Sequence, residues 1–150
     1  MKNLKYLLVV LLVCIFVTGC GEGKTVKCTV KNDSSGYEAT YKIYVKDDKY
    51  VSKVVATEIV KSDDSSYLAQ VKEQVESIYK ETNNTYGGYS YNVKVSGGKL
   101  TAECTMDYAK MNVSKYIEDN PSLTNFADEN GNVLLSGVKS IYSQLGATCE

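Results

Sequence analysis

Apolar and polar residues alternate along two early stretches of the chain, residues 25–31 and 37–46. In the first stretch Val26 and Cys28 fall on one side, while threonines and lysines fall on the other. A period of two predicts half-buried β-strands, and the turn-forming residues between the two stretches predict a tight connection. A third strand, rich in β-branched residues, is predicted over residues 50–60.

Beyond the third predicted strand the spacing of apolar residues changes to intervals of three and four. Four residues carry this pattern: Leu68, Val71, Val75 and Ile78. The spacing predicts an amphipathic helix over residues 64–81. The segment ETNNTYGG, residues 81–88, is predicted to end that helix.

The clearest strand pattern in the chain lies in residues 89–108. Two alternating runs flank Ser96-Gly97-Gly98, and glycines that tolerate positive φ favour a hairpin turn at this point. A short helix is then predicted around residues 113–118, ending before Asn120-Pro121.

A last helix is predicted from an apolar stripe that runs from Leu135 to Leu145. Ser136 is the predicted N-cap, and Gly146 occupies the predicted C′ position. The predicted order is β-β-β-α-β-β-α-α. It indicates an α+β fold with an antiparallel sheet of about five strands and helices packed on one face.

The N-terminal segment has the layout of a secretory signal peptide. MKNLK is basic, and residues 6–17 form twelve uncharged positions, fewer than the roughly 20 that a membrane-spanning helix needs. Val17-Thr18-Gly19-Cys20 resembles the lipobox of bacterial lipoproteins. The resemblance implies a diacylglyceryl group on the Cys20 sulfur and cleavage after Gly19. The alternative is an ordinary signal peptide or short anchor that contains Cys20 by chance.

These assignments predict three segments. Residues 1–19 are the lipoprotein signal peptide, residues 20–24 are the lipidated cysteine with a short linker, and residues 25–150 are a single α+β domain. A linker of four residues reaches at most about 14 Å. We therefore expect the domain on the extracytoplasmic face of the cell membrane, close to the lipid surface.

Composition excludes several classes of function. Removing residues 1–19 removes Lys2 and Lys5, so 15 lysines remain against 18 acids and the net charge becomes −3. The chain has no arginine, and with this charge we expect no nucleic-acid partner. It also has no histidine, which excludes Ser-His-Asp catalysis and the usual zinc sites.

We expect no metal site and no cofactor. The acidic segment DENGN, residues 128–132, offers oxygen ligands of the kind that Ca²⁺ prefers. Its glycine is at the fourth position rather than the sixth, and the closing glutamate of an EF-hand loop is missing. A turn is therefore predicted here, with calcium as the alternative.

Several short segments together resemble the YehR-like lipoproteins of bacteria. They are the lipobox, "CT" at Cys28-Thr29, "KDDKYVSKVVATEIV", "GGKLTAECTMDY" and the terminal "LGATCE". The resemblance implies a small α+β lipoprotein of uncharacterised function. It brings no catalytic residue with it.

Three cysteines remain once Cys14 leaves with the signal peptide and Cys20 is lipidated. Export places them in a compartment that permits disulfides. The residues alone leave open a Cys28–Cys149 bond, a Cys28–Cys104 bond, or none. The resemblance pairs an early "CT" with a late "TC" and so implies Cys28–Cys149.

Two classes of function remain open. The first, which we favour, is a non-enzymatic binding module for an envelope protein, peptide or glycan. Its possible ligand face consists of Tyr86, Tyr89 and Tyr91 around two glycines, although the same segment is typical of a turn entering a strand. The second is an envelope hydrolase that uses carboxylates alone. Its candidate acids lie on predicted strands: Glu58, Glu103 and Asp107.

Overall fold

The computed structural model describes residues 23–123 and 125–150, so the predicted signal peptide and Cys20 lie outside the described residues. The strands are β1 (Thr25–Asn32), β2 (Tyr37–Lys46), β3 (Tyr50–Lys61), β4 (Tyr89–Ser96), β5 (Lys99–Asp107) and β6 (Thr148–Cys149). The helices are α1 (Ser65–Tyr86), α2 (Val113–Asp119) and α3 (Leu135–Gln144). The predicted α+β fold is confirmed.

All strand pairs are antiparallel, and the strand order across the sheet is β4-β5-β3-β2-β1-β6. The sheet therefore has six strands in the described residues, where about five were predicted. The additional strand is β6, whose two residues are too few to show a periodic pattern in the sequence. Cys149 lies opposite Cys28 in the β1–β6 register.

A disulfide joins Cys28 to Cys149, the pairing that the resemblance implied. The backbone N–H groups of Lys27 and Glu150 each donate to the other residue's carbonyl, over 3.0 and 2.8 Å. Cys104 is buried and has a free thiol. The C-terminus is thus held to the edge of the sheet by a covalent bond and by main-chain hydrogen bonds.

Helix α1 is longer than predicted, because it continues through residues 82–86. Asp64 caps its start by accepting hydrogen bonds from the backbone N–H groups of Ser66 and Tyr67. The Thr82 and Thr85 hydroxyls donate to carbonyls one turn earlier, so both hydroxyls find partners within the helix. The helix ends at Tyr86 and is followed by a glycine with φ 71°.

The predicted N-cap of the last helix is wrong. Helix α3 begins at Leu135, one residue before Ser136, and the N-cap Leu134 makes no side-chain capping hydrogen bond. Backbone contacts replace the cap, because Leu134 N–H donates to the Phe126 carbonyl and Leu135 N–H donates to the Lys49 carbonyl. Gly146 follows the helix with φ 84°, at the predicted C′ position.

The core lies between one face of the sheet and the helices. Helix α1 covers β4 and β5, where Leu68 packs in a cluster with Val93 and Leu100. Helix α3 contributes Val138 and Tyr142 to the larger cluster over the middle of the sheet. No helix in the described residues has the length and apolar character needed to cross a membrane.

Candidate functional site

A cleft lies between helices α1 and α3 above strands β3 and β5. Its volume is about 220 Å³. Six tyrosines line it, and we call it the tyrosine cleft: Tyr41, Tyr79, Tyr89, Tyr108, Tyr116 and Tyr142. Phe126, Met106 and the aliphatic residues of α3 complete an apolar wall.

The local sequence explains how these side chains meet. Alternation along β3 turns Ala56 and Glu58 toward the helices, and alternation along β5 does the same for Cys104. Tyr79 lies eleven residues after Leu68 in α1 (three helical turns), so it shares the sheet-facing side of that helix. Tyr142 follows the buried Val138 by four residues in α3.

Glu58 lies at the centre of a hydrogen-bond cluster in the cleft. One carboxylate oxygen accepts from the Tyr41 hydroxyl at 3.2 Å and from the Tyr37 hydroxyl at 3.4 Å. The other oxygen accepts from the Tyr79 hydroxyl at 3.3 Å. Glu58 is half-buried and is the only carboxylate or amine among the residues described as lining the cleft. The cleft therefore offers one acid surrounded by aromatic rings.

The other titratable groups of the cleft are tyrosines and one thiol, and burial raises their pKa values further above physiological pH. It raises the pKa values of Tyr41 and Tyr79 above that of an exposed tyrosine, and the nearby Glu58 carboxylate raises both further. Burial likewise raises the pKa of Tyr142 and raises that of the Cys104 thiol to about 12. The tyrosine hydroxyls therefore remain available as hydrogen-bond donors.

Stacked rings fix the geometry of the cleft wall. Tyr41 and Tyr142 lie nearly parallel with ring centroids 4.0 Å apart, which joins β2 to α3. Phe126 meets Tyr108 and Tyr116 with centroid distances of 5.8 Å in both cases. These contacts hold the wall of the cleft in place.

The structure brings only one of the three tyrosines of the predicted ligand face into the cleft. Tyr89 lines it. Tyr86 lies in the last turn of α1, where its hydroxyl donates to Asp119 at 3.1 Å. Tyr91 lies half-exposed beside the Tyr79 ring, with centroids 5.4 Å apart.

The glycines beside these tyrosines serve the backbone turn. Gly87 and Gly88 have φ values of 71° and 77°. A Cβ atom on Gly88 would come within 2.6 Å of the Asp107 carbonyl oxygen and 2.9 Å of the Met111 side chain. Glycine is needed here so that the chain can leave α1 and enter β4 beside residues 107–111.

The strand register separates the three carboxylates considered for a hydrolase. Glu58 faces the helices, whereas Glu103 lies opposite Thr57 on the other side of the sheet. Asp107 also lies on that other side and forms an ion pair with Lys110 at 3.0 Å. Glu58 is thus the member of this set that reaches the cleft.

The acidic loop is a turn, as predicted. One Asp128 oxygen accepts from the backbone N–H groups of Asn130 and Asn132 at 3.0 and 2.9 Å. Hydrogen bonds from the side chain and the backbone of Asn132 lower the pKa of Asp128 below its usual value. Across residues 23–123 and 125–150, no three acid, thiol or imidazole groups converge as metal ligands would.

Comparisons with known proteins agree on the fold. No family model and no curated protein sequence matches this chain. The NMR structure of E. coli YehR superposes with a TM-score of 0.61 at 11% identity, covering 86% of this chain and 92% of that one. The NMR structure of a protein from Streptococcus pneumoniae TIGR4 gives a TM-score of 0.51 at 17% identity, covering 85% and 84%. The resemblance to YehR-like proteins is therefore confirmed at the level of the fold.

Proposed function

We propose that this chain is an exported bacterial lipoprotein of the YehR-like kind, anchored through Cys20, whose folded domain is a non-enzymatic binding module. The tyrosine cleft is its ligand site. The single observation that carries this proposal is a pre-formed aromatic cleft with one carboxylate in it. Concave, mostly apolar sites with few polar groups are the usual form of small-ligand sites.

The chemistry of the cleft defines the class of ligand. Tyrosine rings attract a cation placed over their faces, and a carboxylate accepts strong hydrogen bonds from an ammonium group. Glu58 already accepts three tyrosine hydroxyls at 3.2–3.4 Å, which is long for bonds to a carboxylate, so an ammonium can compete for it. The ligand is a compact apolar or ring-shaped group that bears one amine, as part of an envelope peptide or glycan.

A binding function is favoured over hydrolysis because Glu58 is the one carboxylate among the described residues that line the cleft. A glycosidase of the two-carboxylate type needs acids about 5–10 Å apart on either side of the scissile bond. Glu58 has the hydroxyls of Tyr37, Tyr41 and Tyr79 as its hydrogen-bond partners, while Glu103 is on the opposite face of the sheet. These neighbours suit recognition of a ligand.

The anchor is tested by metabolic labelling with radioactive palmitate in a bacterial host. The unchanged chain should become labelled and remain with the membrane, while Cys20→Ala should lose both properties. Cys14→Ala is the matched control, because it removes another cysteine of the N-terminal segment and should label normally. Persistent labelling of Cys20→Ala would exclude the lipobox interpretation.

The cleft is tested with phenylethylamine and with phenylethanol, its neutral analogue. The amine should bind more tightly by about tenfold or more, the range of a hydrogen bond to a charged group. Glu58→Gln should abolish this preference, and Glu103→Gln, on the opposite face, should leave it intact. Equal affinity for the two probes in the unchanged protein would contradict the proposed ligand class.

The hydrolase alternative has its own readout. Purified protein is incubated with envelope glycan, and soluble sugar is measured. Release that is lost in Glu58→Gln and kept in Glu103→Gln would favour the hydrolase over the binding module.

A further inference from the structure

The face of the sheet opposite the helices, which we call the open face, carries an excess of one charge. The outward positions of β1, β2 and β3 hold two lysines each, and those of β4 and β5 hold one each. Against these eight lysines the same positions hold three acids: Glu38, Glu103 and Asp107. The open face thus has a formal charge of +5 in a chain that carries −3 after residue 19.

Local pairing lowers this excess without reversing it. Lys31 pairs with Asp33 at 3.0 Å and Lys61 pairs with Glu38 at 2.6 Å, while Asp107 pairs with Lys110 from outside the face. Glu150 follows β6 at the far edge, beside Lys27. The solvent side of an antiparallel sheet is commonly polar, but ordinary surfaces mix both signs of charge.

We propose that the open face docks on anionic phospholipid headgroups. It is broad, because six strands at about 4.8 Å spacing span roughly 24 Å. A surface of this breadth with distributed lysines matches a plane of phosphate charge better than it matches a single bound ion. Basic residues near an anionic membrane each contribute about fivefold to binding, and the effect decays over a Debye length.

The middle of the open face also has an interfacial aromatic residue. Tyr44 lies between Lys42 and Lys53, whose amines are 4.9 and 4.3 Å from its ring centroid. A tyrosine flanked by cations suits the headgroup region, where one end of the ring is apolar and the other is wet.

The position of β1 agrees with an orientation in which the open face lies toward the membrane. Strand β1 belongs to the open face and begins at Thr25, so a four-residue linker after Cys20 would hold this strand within about 14 Å of the bilayer. Docking through the open face would turn the helices away from the membrane. The positive charge of the open face is the same with or without the lipid anchor.

The test measures partitioning of the chain from residue 21 onto vesicles. This chain lacks Cys20 but contains every described helix and strand, both hydrophobic clusters and the disulfide, so it carries the complete fold. Vesicles of phosphatidylcholine are compared with vesicles that also contain phosphatidylglycerol. Binding should require phosphatidylglycerol and should vanish at about 1 M salt, where the Debye length is about 3 Å.

A matched pair of triple variants separates the open face from net charge. Lys27→Gln, Lys42→Gln and Lys94→Gln together should weaken partitioning on the order of 100-fold. Lys72→Gln, Lys80→Gln and Lys139→Gln change the net charge equally on the helices and should have little effect.

Four results would overturn the proposal. If both triple variants lost the same amount of vesicle binding, net charge rather than the open face would explain the binding. Equal binding to neutral and anionic vesicles, or no binding to either, would exclude anionic headgroups as the partner of the open face. Binding to polyphosphate but not to anionic vesicles would assign the open face to a soluble or wall-bound polyanion instead.

Discussion

Tyrosine supplies nearly all the aromatic surface of this protein, with thirteen tyrosines against two phenylalanines and no tryptophan. A buried phenol must find a hydrogen-bond partner, or its desolvation costs free energy. Glu58 provides two acceptor oxygens for the hydroxyls of Tyr37, Tyr41 and Tyr79. The carboxylate, at an inward position between the apolar Ala56 and Val60, is thus explained by the tyrosines around it.

The tyrosine cluster predicts loss of stability at alkaline pH. Burial raises the folded-state pKa values of Tyr41, Tyr79 and Tyr142 above the unfolded value of about 10, and it raises that of Cys104 from 9.0 to about 12. Their contribution is fully present below the unfolded pKa values. It is lost as pH rises above about 9–10, because the unfolded state then releases protons that the folded state retains.

The measurement is a series of urea unfolding curves from pH 7 to pH 11, with tyrosinate absorbance recorded in parallel. The urea midpoint should fall above about pH 9, and part of the absorbance change should coincide with unfolding. A flat midpoint through pH 11, or complete titration of the tyrosines in the folded protein, would contradict the assigned burial.

At the scale of elements, the sequence predicts those that show a sustained period. The strands β1, β2, β4 and β5 follow from alternation, because each has one face toward the helices and one toward solvent, whereas β3 follows from its β-branched residues. The end of α1 and the start of α3 were misplaced for a different reason. Contacts of Tyr86 with Tyr116 and Asp119 hold the last turn of α1, and backbone docking on Phe126 starts α3 without a side-chain cap. Neither interaction has a periodic signal.

Helix α3 gives a prediction in which packing outweighs helix propensity. Alanine in place of a helical glycine normally stabilises by about 1 kcal/mol. At Gly137, however, a Cβ would lie 2.7 Å from the Phe126 Cα and would also clash with the Asn125 carbonyl. Both are backbone atoms, so α3 must move, and we expect Gly137→Ala to destabilise the protein by about 1–3 kcal/mol.

Ser140→Ala is the matched control, since Ser140 is exposed on the same helix. It should change the free energy of unfolding by less than about 0.5 kcal/mol. If Gly137→Ala raised the thermal midpoint, the close contact between α3 and residues 125–126 would be wrong.

The smallest strand depends on its disulfide. Strand β6 has two residues, while the Cys28–Cys149 bond spans 121 positions. Loss of such a cross-link should cost about 2–4 kcal/mol. Cys149→Ser and the reduced wild-type protein should therefore show the same lowered urea midpoint, and reducing agent should have no further effect on the variant.

Non-reducing peptide mapping identifies the bond directly. The expected product joins the peptide that contains Cys28 to the C-terminal peptide. A peptide that joins Cys28 to Cys104, or a free Cys149 in most molecules, would refute the pairing.

At the scale of the whole molecule, the tyrosine cleft draws on residues that are distant in sequence. Tyr41, Glu58, Tyr79 and Tyr142 meet because β3 lies between β2 and β5 in the sheet, and α1 and α3 pack over the same face of these strands. Alternation indicates which residues of each strand face inward. It does not indicate which strands adjoin, so the sequence alone pointed to the local tyrosine group at residues 86–91 rather than to this cleft.

The two proposed sites lie on opposite sides of one sheet, and this predicts that they act independently. Glu58 faces the helices, and Lys27, Lys42 and Lys94 face away from them, with the sheet between. Effects of residues that share no partner usually add within about 0.5 kcal/mol. The lysine-to-glutamine triple variant should therefore bind phenylethylamine as the wild-type chain does, and Glu58→Gln should partition onto phosphatidylglycerol vesicles unchanged. A variant with all four substitutions should lose vesicle binding as the triple variant does and lose the preference for phenylethylamine as Glu58→Gln does. If Glu58→Gln weakened vesicle binding as much as the triple variant does, the cleft and the open face would be parts of one site, and the assignment of opposite faces would fail.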